Sequence, residues 1–220
     1  VKKILCHGFA RISTDKTPKI GGRLRRLFSS LLFLVALGAT VVAQKAAQPE
    51  NVQQPAQAPM FTAAELASKV PAPRPDDVKS SDAIIKAAYE SISGPAGMRD
   101  WKRFRSIFLP QARFTEVGKG EDGGTIVISW GVEEFIRDAG AVFAKEAFYE
   151  NGIVNEGAGY GGMRQVLSSY ESRRAPGEKP FQRGINSFQV LNDGKRWWIV
   201  SIFWDSERPD NPLPEKFAGK

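Results

Sequence analysis

Hydrophobic positions along this chain follow two rhythms. Up to about residue 145 the dominant spacing is helical. Residues 81–93 (SDAIIKAAYESIS) place Ile84, Ile85, Ala88, Tyr89 and Ile92 on one face of a helix, and SGPAG stops it. Asp100 is positioned to cap a second helix over 101–108 that buries Trp101, Phe104, Ile107 and Phe108, with Pro110 ending it. A third helix spans 132–145, where Val132, Phe135, Ile136, Ala139, Val142 and Phe143 share a stripe; its interior Gly140 weakens it slightly and permits close packing. Two short alternating runs, 113–117 (RFTEV) and 125–129 (TIVIS), read as strands joined by the glycine-rich GKGEDGG. That loop holds no Gly-Lys-Ser or Gly-Lys-Thr and leads into a strand, so it is not a phosphate loop.

Beyond the third helix the period falls to two. Residues 147–159 begin strand-like, 163–173 (MRQVLSSYESR) form a strand, and 181–191 with 196–205 form a hairpin around Asp193-Gly194. Helices and long strands are thus segregated, which predicts an α+β fold. Ahead of residue 78 the pattern fades. Residues 44–77 are rich in Ala, Gln and Pro and read as a flexible, disordered tether, although Thr62-Ala-Ala-Glu65 has the spacing of a capping box that would start one short helix. The chain therefore divides into a leader (1–43), a linker (44–77) and a folded domain (78–217).

Charge changes meaning once the leader is separated. The formal net charge is +7, but residues 1–43 carry eight basic groups against Asp15 alone, and the remainder balances. The basic character is local, which argues against a nucleic-acid partner. Arg23, Arg25 and Arg26, the apolar run 27–38 and the small residues Val41 and Ala43 read as an export signal cut before Gln44. This predicts a periplasmic or secreted protein, with a retained membrane anchor as the alternative. Cys6 and His7 are the only cysteine and histidine, and both lie in that leader. A chain cut at Gln44 has no disulfide, no thiol, no zinc site built on Cys or His, and no His-dependent nucleophile. No metal and no cofactor is expected, and any chemistry must use Asp, Glu, Tyr, Lys or Arg.

The order of elements, together with DWKRFRSIFLPQARFT, SSYESR and RGINSFQVLNDGKRWWIVSIFWDSE, resembles the nuclear transport factor 2-like superfamily, including its SnoaL-like members, over residues 80–207. The resemblance implies a strongly curved antiparallel sheet wrapped around about three helices as a cystatin-like cone, with a pocket between them and often a dimer. It does not imply one activity, because members include isomerases, dehydratases, cyclases, hydrolases and proteins without catalysis. Where several relatives carry a histidine near the end of the last strand, this chain has Ile202 and Trp204. That argues against a dehydratase-type His base and leaves an Asp/Tyr pair of isomerase type open.

With Asp193-Gly194 as a two-residue turn, parity splits the last hairpin into two faces. One carries Trp198, Val200, Ile202 and Trp204 beside Gln189, Ser187, Ile185 and Arg183, and has the make-up of a ligand pocket. Arg183 over Trp204 would be a cation–π pair facing a ligand; the alternative is a structural arginine bridging to Glu171 or Asp205. The other face groups Trp197, Ile199 and Phe203 with Val190 and Phe188, and calls for a second copy of the chain or for cover by residues 209–217. Tyr149, Glu150, Tyr170 and Trp130 are further pocket candidates, while Tyr170 could equally be a core residue. Asp138 and Glu134 would become general bases only if buried. Glu150 and Glu156 with Asn151 and Asn155 lack the spacing of a calcium loop and read as solvated. The expectation is a non-catalytic, exported cone-fold protein that binds a small apolar or amphipathic molecule or acts as a homodimeric interaction module. A metal-free acid–base enzyme of isomerase or cyclase type is the alternative.

Overall fold

The computed structural model describes residues 58–219. The leader, with Cys6 and His7, and the first part of the linker lie outside the described residues.

Packed structure begins ahead of residue 78. Thr62 and Glu65 cap one another: the Glu65 amide donates to Thr62 Oγ1 at 3.2 Å and the Thr62 amide to Glu65 Oε2 at 2.7 Å. This starts helix α1 (Ala63–Ser68), whose Leu66 packs against the core together with Val70. A one-turn helix α2 (Pro75–Val78) follows, and its buried Asp77 takes both arms of the Arg103 guanidinium at 2.8 Å. Helix α3 (Ser81–Ile92) starts where the Ser80 hydroxyl accepts from the Ala83 amide, and Asp100 caps α4 (Trp101–Ile107) through the Arg103 amide. Helix α5 (Val132–Phe143) packs closely at Gly140: a Cβ there would lie 3.3 Å from the Trp101 ring.

Six strands follow the predicted order: β1 (Phe108–Lys119), β2 (Thr125–Trp130), β3 (Tyr149–Tyr160), β4 (Met163–Arg173), β5 (Gln182–Asn192) and β6 (Trp197–Ser206). They form one sheet in the order β2-β1-β6-β5-β4-β3. The α+β class holds, with one addition. β1 lies parallel to β6 while every other pair is antiparallel, so the sheet is mixed. Pro110 therefore does not end a helix; α4 stops at Ile107 and Pro110 sits inside β1, at the irregular stretch between Phe108 and Arg113 where pairing with β6 slips. Further register shifts fall between Gly152 and Val154 and between Gln189 and Val190. Bulges of this kind bend a sheet and tighten its twist.

The helices α3, α4 and α5 contact the sheet at β3, β6, β1 and β2. The core between them is aromatic. Phe104 stacks against Phe135 at 5.5 Å between ring centroids and lies 4.6 Å from Phe108, and Phe114 stacks on Phe135 at 4.6 Å.

The last hairpin departs from the two-residue turn. Asn192 pairs with Trp197, leaving residues 193–196 as a four-residue loop. The Asp193 carboxylate organises it, accepting from the Lys195 and Arg196 amides at 2.8 and 2.9 Å and from Trp198 Nε1 at 2.8 Å. Gly194 sits in this loop at φ +90°, a conformation that suits glycine. Past the bulge at Val200 the register moves by one more residue, so Phe188 faces Ile202 and Asn186 faces Trp204. The two predicted faces are thereby re-sorted. Phe188, Val190 and Ile199, expected outside, are fully buried. The outer row around half-exposed Phe203 is Thr115 on one side and Ser187 on the other. The greasy outer face proposed as a dimer surface therefore loses most of its apolar members to the core. The C-terminal segment covers another part of the sheet: Phe217 is buried, Lys216 pairs with Glu156 on β3 at 2.6 Å, and Arg183 donates to the Ala218 carbonyl at 2.6 Å.

Candidate functional site

A cavity of about 110 Å³ opens between the sheet and α3, α4 and α5. Strand alternation decides which side chains reach it. Phe114 and Glu116 enter from β1, Asn186 and Phe188 from β5, Ile202 and Trp204 from β6. Glu150 enters from β3 and Tyr170 from β4, while α3 supplies Ala88, Tyr89 and Ile92. Ten of the lining residues are aromatic, and Glu116 and Glu150 are the only carboxylates. No lysine or arginine lines the cavity.

Glu150 stands in a chain of polar groups. Ser172 Oγ donates to its Oε2 at 2.8 Å, and the Asn186 side chain binds it as well. The same Asn186 amide donates to the Tyr89 hydroxyl at 3.2 Å, and Tyr89 meets Ser168 Oγ at 2.7 Å. With Asn186 donating, the Tyr89 proton is directed at Ser168. Burial pushes the Glu150 carboxyl up to about 7, against the opposing effect of its two hydrogen-bond donors. Burial, then the Glu150 charge, also raises the Tyr89 hydroxyl above its ordinary value. Glu116 is pushed up to about 7 by burial first and by the negative charge of Asp205 second, and a hydrogen bond from Trp204 works the other way.

Tyr170 and Trp204, singled out from sequence, do line the cavity. Tyr170 Oη lies 3.1 Å from Ser206 Oγ, which also receives Gln182 Nε2 at 2.5 Å. Gly184 makes room for this: a Cβ there would fall 2.6 Å from the Tyr170 hydroxyl oxygen and 2.4 Å from the Asp205 carbonyl oxygen. Trp130 is one layer removed. It stacks flat on Trp204 at 5.9 Å and donates its Nε1 to Asp138 at 3.1 Å. Tyr149 and Arg183 do not line the cavity. Arg183 does not reach Trp204, because the shifted register puts Asn186 opposite that tryptophan; it lies 3.7 Å from Glu207 instead. The hairpin's cation–π pair is Arg196 over Trp198, at 3.7 Å. Asp138 is held below the usual carboxylate range by Arg137, and Glu134 caps α5 through the Gly131 amide. Neither lines the cavity.

Glu116 and Asn186 escaped the sequence reading, and Glu150 was read both as a pocket candidate and as solvated. The signal for both acids was present in alternation: Phe114 and Phe148 are apolar and point inward, so the residues two further along do too.

No family model matches this chain, and no curated protein matches it. Solved structures do. A protein of unknown function with a cystatin-like fold from Nostoc punctiforme is 15% identical, with 60% of this chain and 92% of that chain covered and a TM-score of 0.43. An uncharacterized cystatin-like protein from Caulobacter vibrioides is 14% identical, covering 60% and 90%, with a TM-score of 0.45. A nuclear transport factor 2-like protein of unknown function from Silicibacter pomeroyi is 18% identical, covering 57% and 92%, with a TM-score of 0.38. In its own sheet order, and in the helices that contact that sheet, the described part of this chain has an α+β fold with one six-stranded mixed sheet.

Proposed function

We propose that the protein binds one small apolar or amphipathic molecule in the cavity between sheet and helices. The observation that supports this most directly is the lining: aromatic rings on every side, interrupted by a few convergent polar groups, which is the usual make-up of a small-molecule site. The volume of about 110 Å³ is on the scale of a single ring. The test is calorimetric titration with benzyl alcohol and cyclohexanone on the wild type and on Ala88→Leu. Ala88 lies on α3 at the cavity wall, so the larger side chain fills the space a ligand would take. Binding to the wild type and its loss in the filled variant are expected; equal binding by both, or none by either, overturns the reading. Export through the leader belongs to the same proposal, and N-terminal sequencing of the protein from expressing cells should begin at Gln44.

One observation favours a second reading, an acid–base enzyme. Glu150 titrates near neutrality and is joined to Tyr89 through Asn186. Such a site would exchange the α-protons of a ketone. Proton NMR of cyclohexanone in heavy water should then show exchange with the wild type that Glu150→Gln lacks. Equal rates in the two proteins would remove this reading and leave the binding proposal standing.

A further inference from the structure

We propose that the natural ligand of this cavity is a small amine, whose ammonium group meets the carboxylate of Glu150 or Glu116 and whose apolar body lies among the aromatic rings. This rests on the binding reading above and adds the chemical class of the ligand.

Three other acids of the fold are each paired with an arginine. Asp77, buried at the helix end, is neutralised by Arg103; Asp138 is held by Arg137, and Asp205 by Arg208. Glu116 and Glu150 differ. Neither has an ion-pair partner among the described residues, and no basic side chain lines the space they face. Each nevertheless receives donors suited to an anion: Ser172 and Asn186 on Glu150, the Trp204 side chain on Glu116. Hydrogen bonds of this kind favour the carboxylate without cancelling its charge. An uncompensated carboxylate in an apolar site is costly, and a bound cation removes that cost.

The walls favour the same class. Ammonium groups are attracted to the faces of aromatic rings, and Tyr89, Phe188 and Trp204 surround the space together with the phenylalanines of α4, α5 and β1. A carboxylate ligand would meet two acids and no counter-charge. A metal ion is a poorer fit, because it gathers several oxygen ligands at one point. Glu116 on β1 and Glu150 on β3 are separated in the sheet by β6, β5 and β4, and no group of three or more acids among the described residues is placed to hold a metal ion. Each acid is placed to meet one monovalent group.

Three probes of matched size separate the possibilities: benzylamine, benzyl alcohol and benzoate, titrated calorimetrically into the full chain at pH 8, where both acids are largely ionised. Benzylamine is expected to bind about tenfold or more tightly than benzyl alcohol, and benzoate more weakly than either. Glu150→Gln, Glu116→Gln or the double variant should erase the preference for the amine while benzyl alcohol still binds. That residual binding shows the cavity to be intact in the variant. Benzyl alcohol or benzoate binding as well as benzylamine to the wild type overturns the amine assignment and leaves the binding reading in place. An amine preference that survives the double substitution overturns the role given to these two acids. Failure of all three probes overturns the binding reading itself.

Discussion

The two faces of this one sheet behave as different materials. The inner face carries Phe114, Phe188, Val190, Ile199 and Ile202, all buried, and also the two acids with raised pKa values. The outer face, at matching positions of the same strands, carries Thr115, Ser187, Ser201 and half-exposed Phe203. A side chain's neighbours across the strands, more than its own chemistry, set what it contributes. Phe188 and Phe203 are the same residue type on adjacent strands. One is locked against Tyr89 at 5.8 Å, and the other stands between a threonine and a serine.

The largest effect expected from breaking this contrast is in the aromatic core. Phe104→Ala removes a ring packed against Phe108, Phe114 and Phe135 and should cost about 3–5 kcal/mol in urea unfolding. A loss below about 1 kcal/mol would mean that this core is not packed as described.

The inner acids should act in the opposite direction. In the folded chain each carboxyl holds its proton up to about pH 7, against an ordinary value of 4.5. The folded state therefore binds more protons than the unfolded chain over that interval. Stability falls as pH rises from about 4.5 to 7 and levels off above. Glu150→Gln should raise stability at pH 8 by up to about 3 kcal/mol and flatten this profile. A variant whose urea midpoint follows the wild-type profile at every pH would contradict the burial of Glu150.

The loop that sorts residues between the faces comes next. Asp193→Ala leaves the Lys195 and Arg196 amides and the Trp198 indole without their acceptor, and should cost about 1–3 kcal/mol. Smallest of all is Phe203→Ser on the outer face, expected to shift stability by no more than about 0.5 kcal/mol. The same variant reports on self-association. Sedimentation showing a dimer in the wild type and a monomer in Phe203→Ser would restore the outer face as an interface.

Most elements were legible in the sequence to within a few residues; the exceptions are β1, which was expected over 113–117 and begins at Phe108, and α2 (Pro75–Val78), which lies in what was expected to be a tether. Residues 81–93 were expected as a helix and Ser81–Ile92 form one; 163–173 were expected as a strand and Met163–Arg173 form it. The candidate site was legible only in part. Tyr170 and Trp204 line the cavity, but Arg183 takes the structural alternative, across from Glu171 and beside Glu207 rather than over Trp204, and Glu116 was not singled out. The hairpin explains the difference. Its strands follow from local alternation, but their pairing depends on a four-residue loop closed by the Asp193 carboxylate and on a bulge past Ile199. Each offset moves residues to new partners, and an odd offset exchanges faces.

By itself, then, the amino-acid order determined most of the helices and strands and left no Cys or His beyond residue 7. Periodicity, caps and composition act over a few residues and need no distant partner. Only the tertiary structure decided which face became the core, that β1 runs parallel beside β6, and that two glutamates lie in an aromatic cavity with no basic side chain among its described lining residues. Those outcomes depend on desolvation and register, and both are set by residues far apart in the chain.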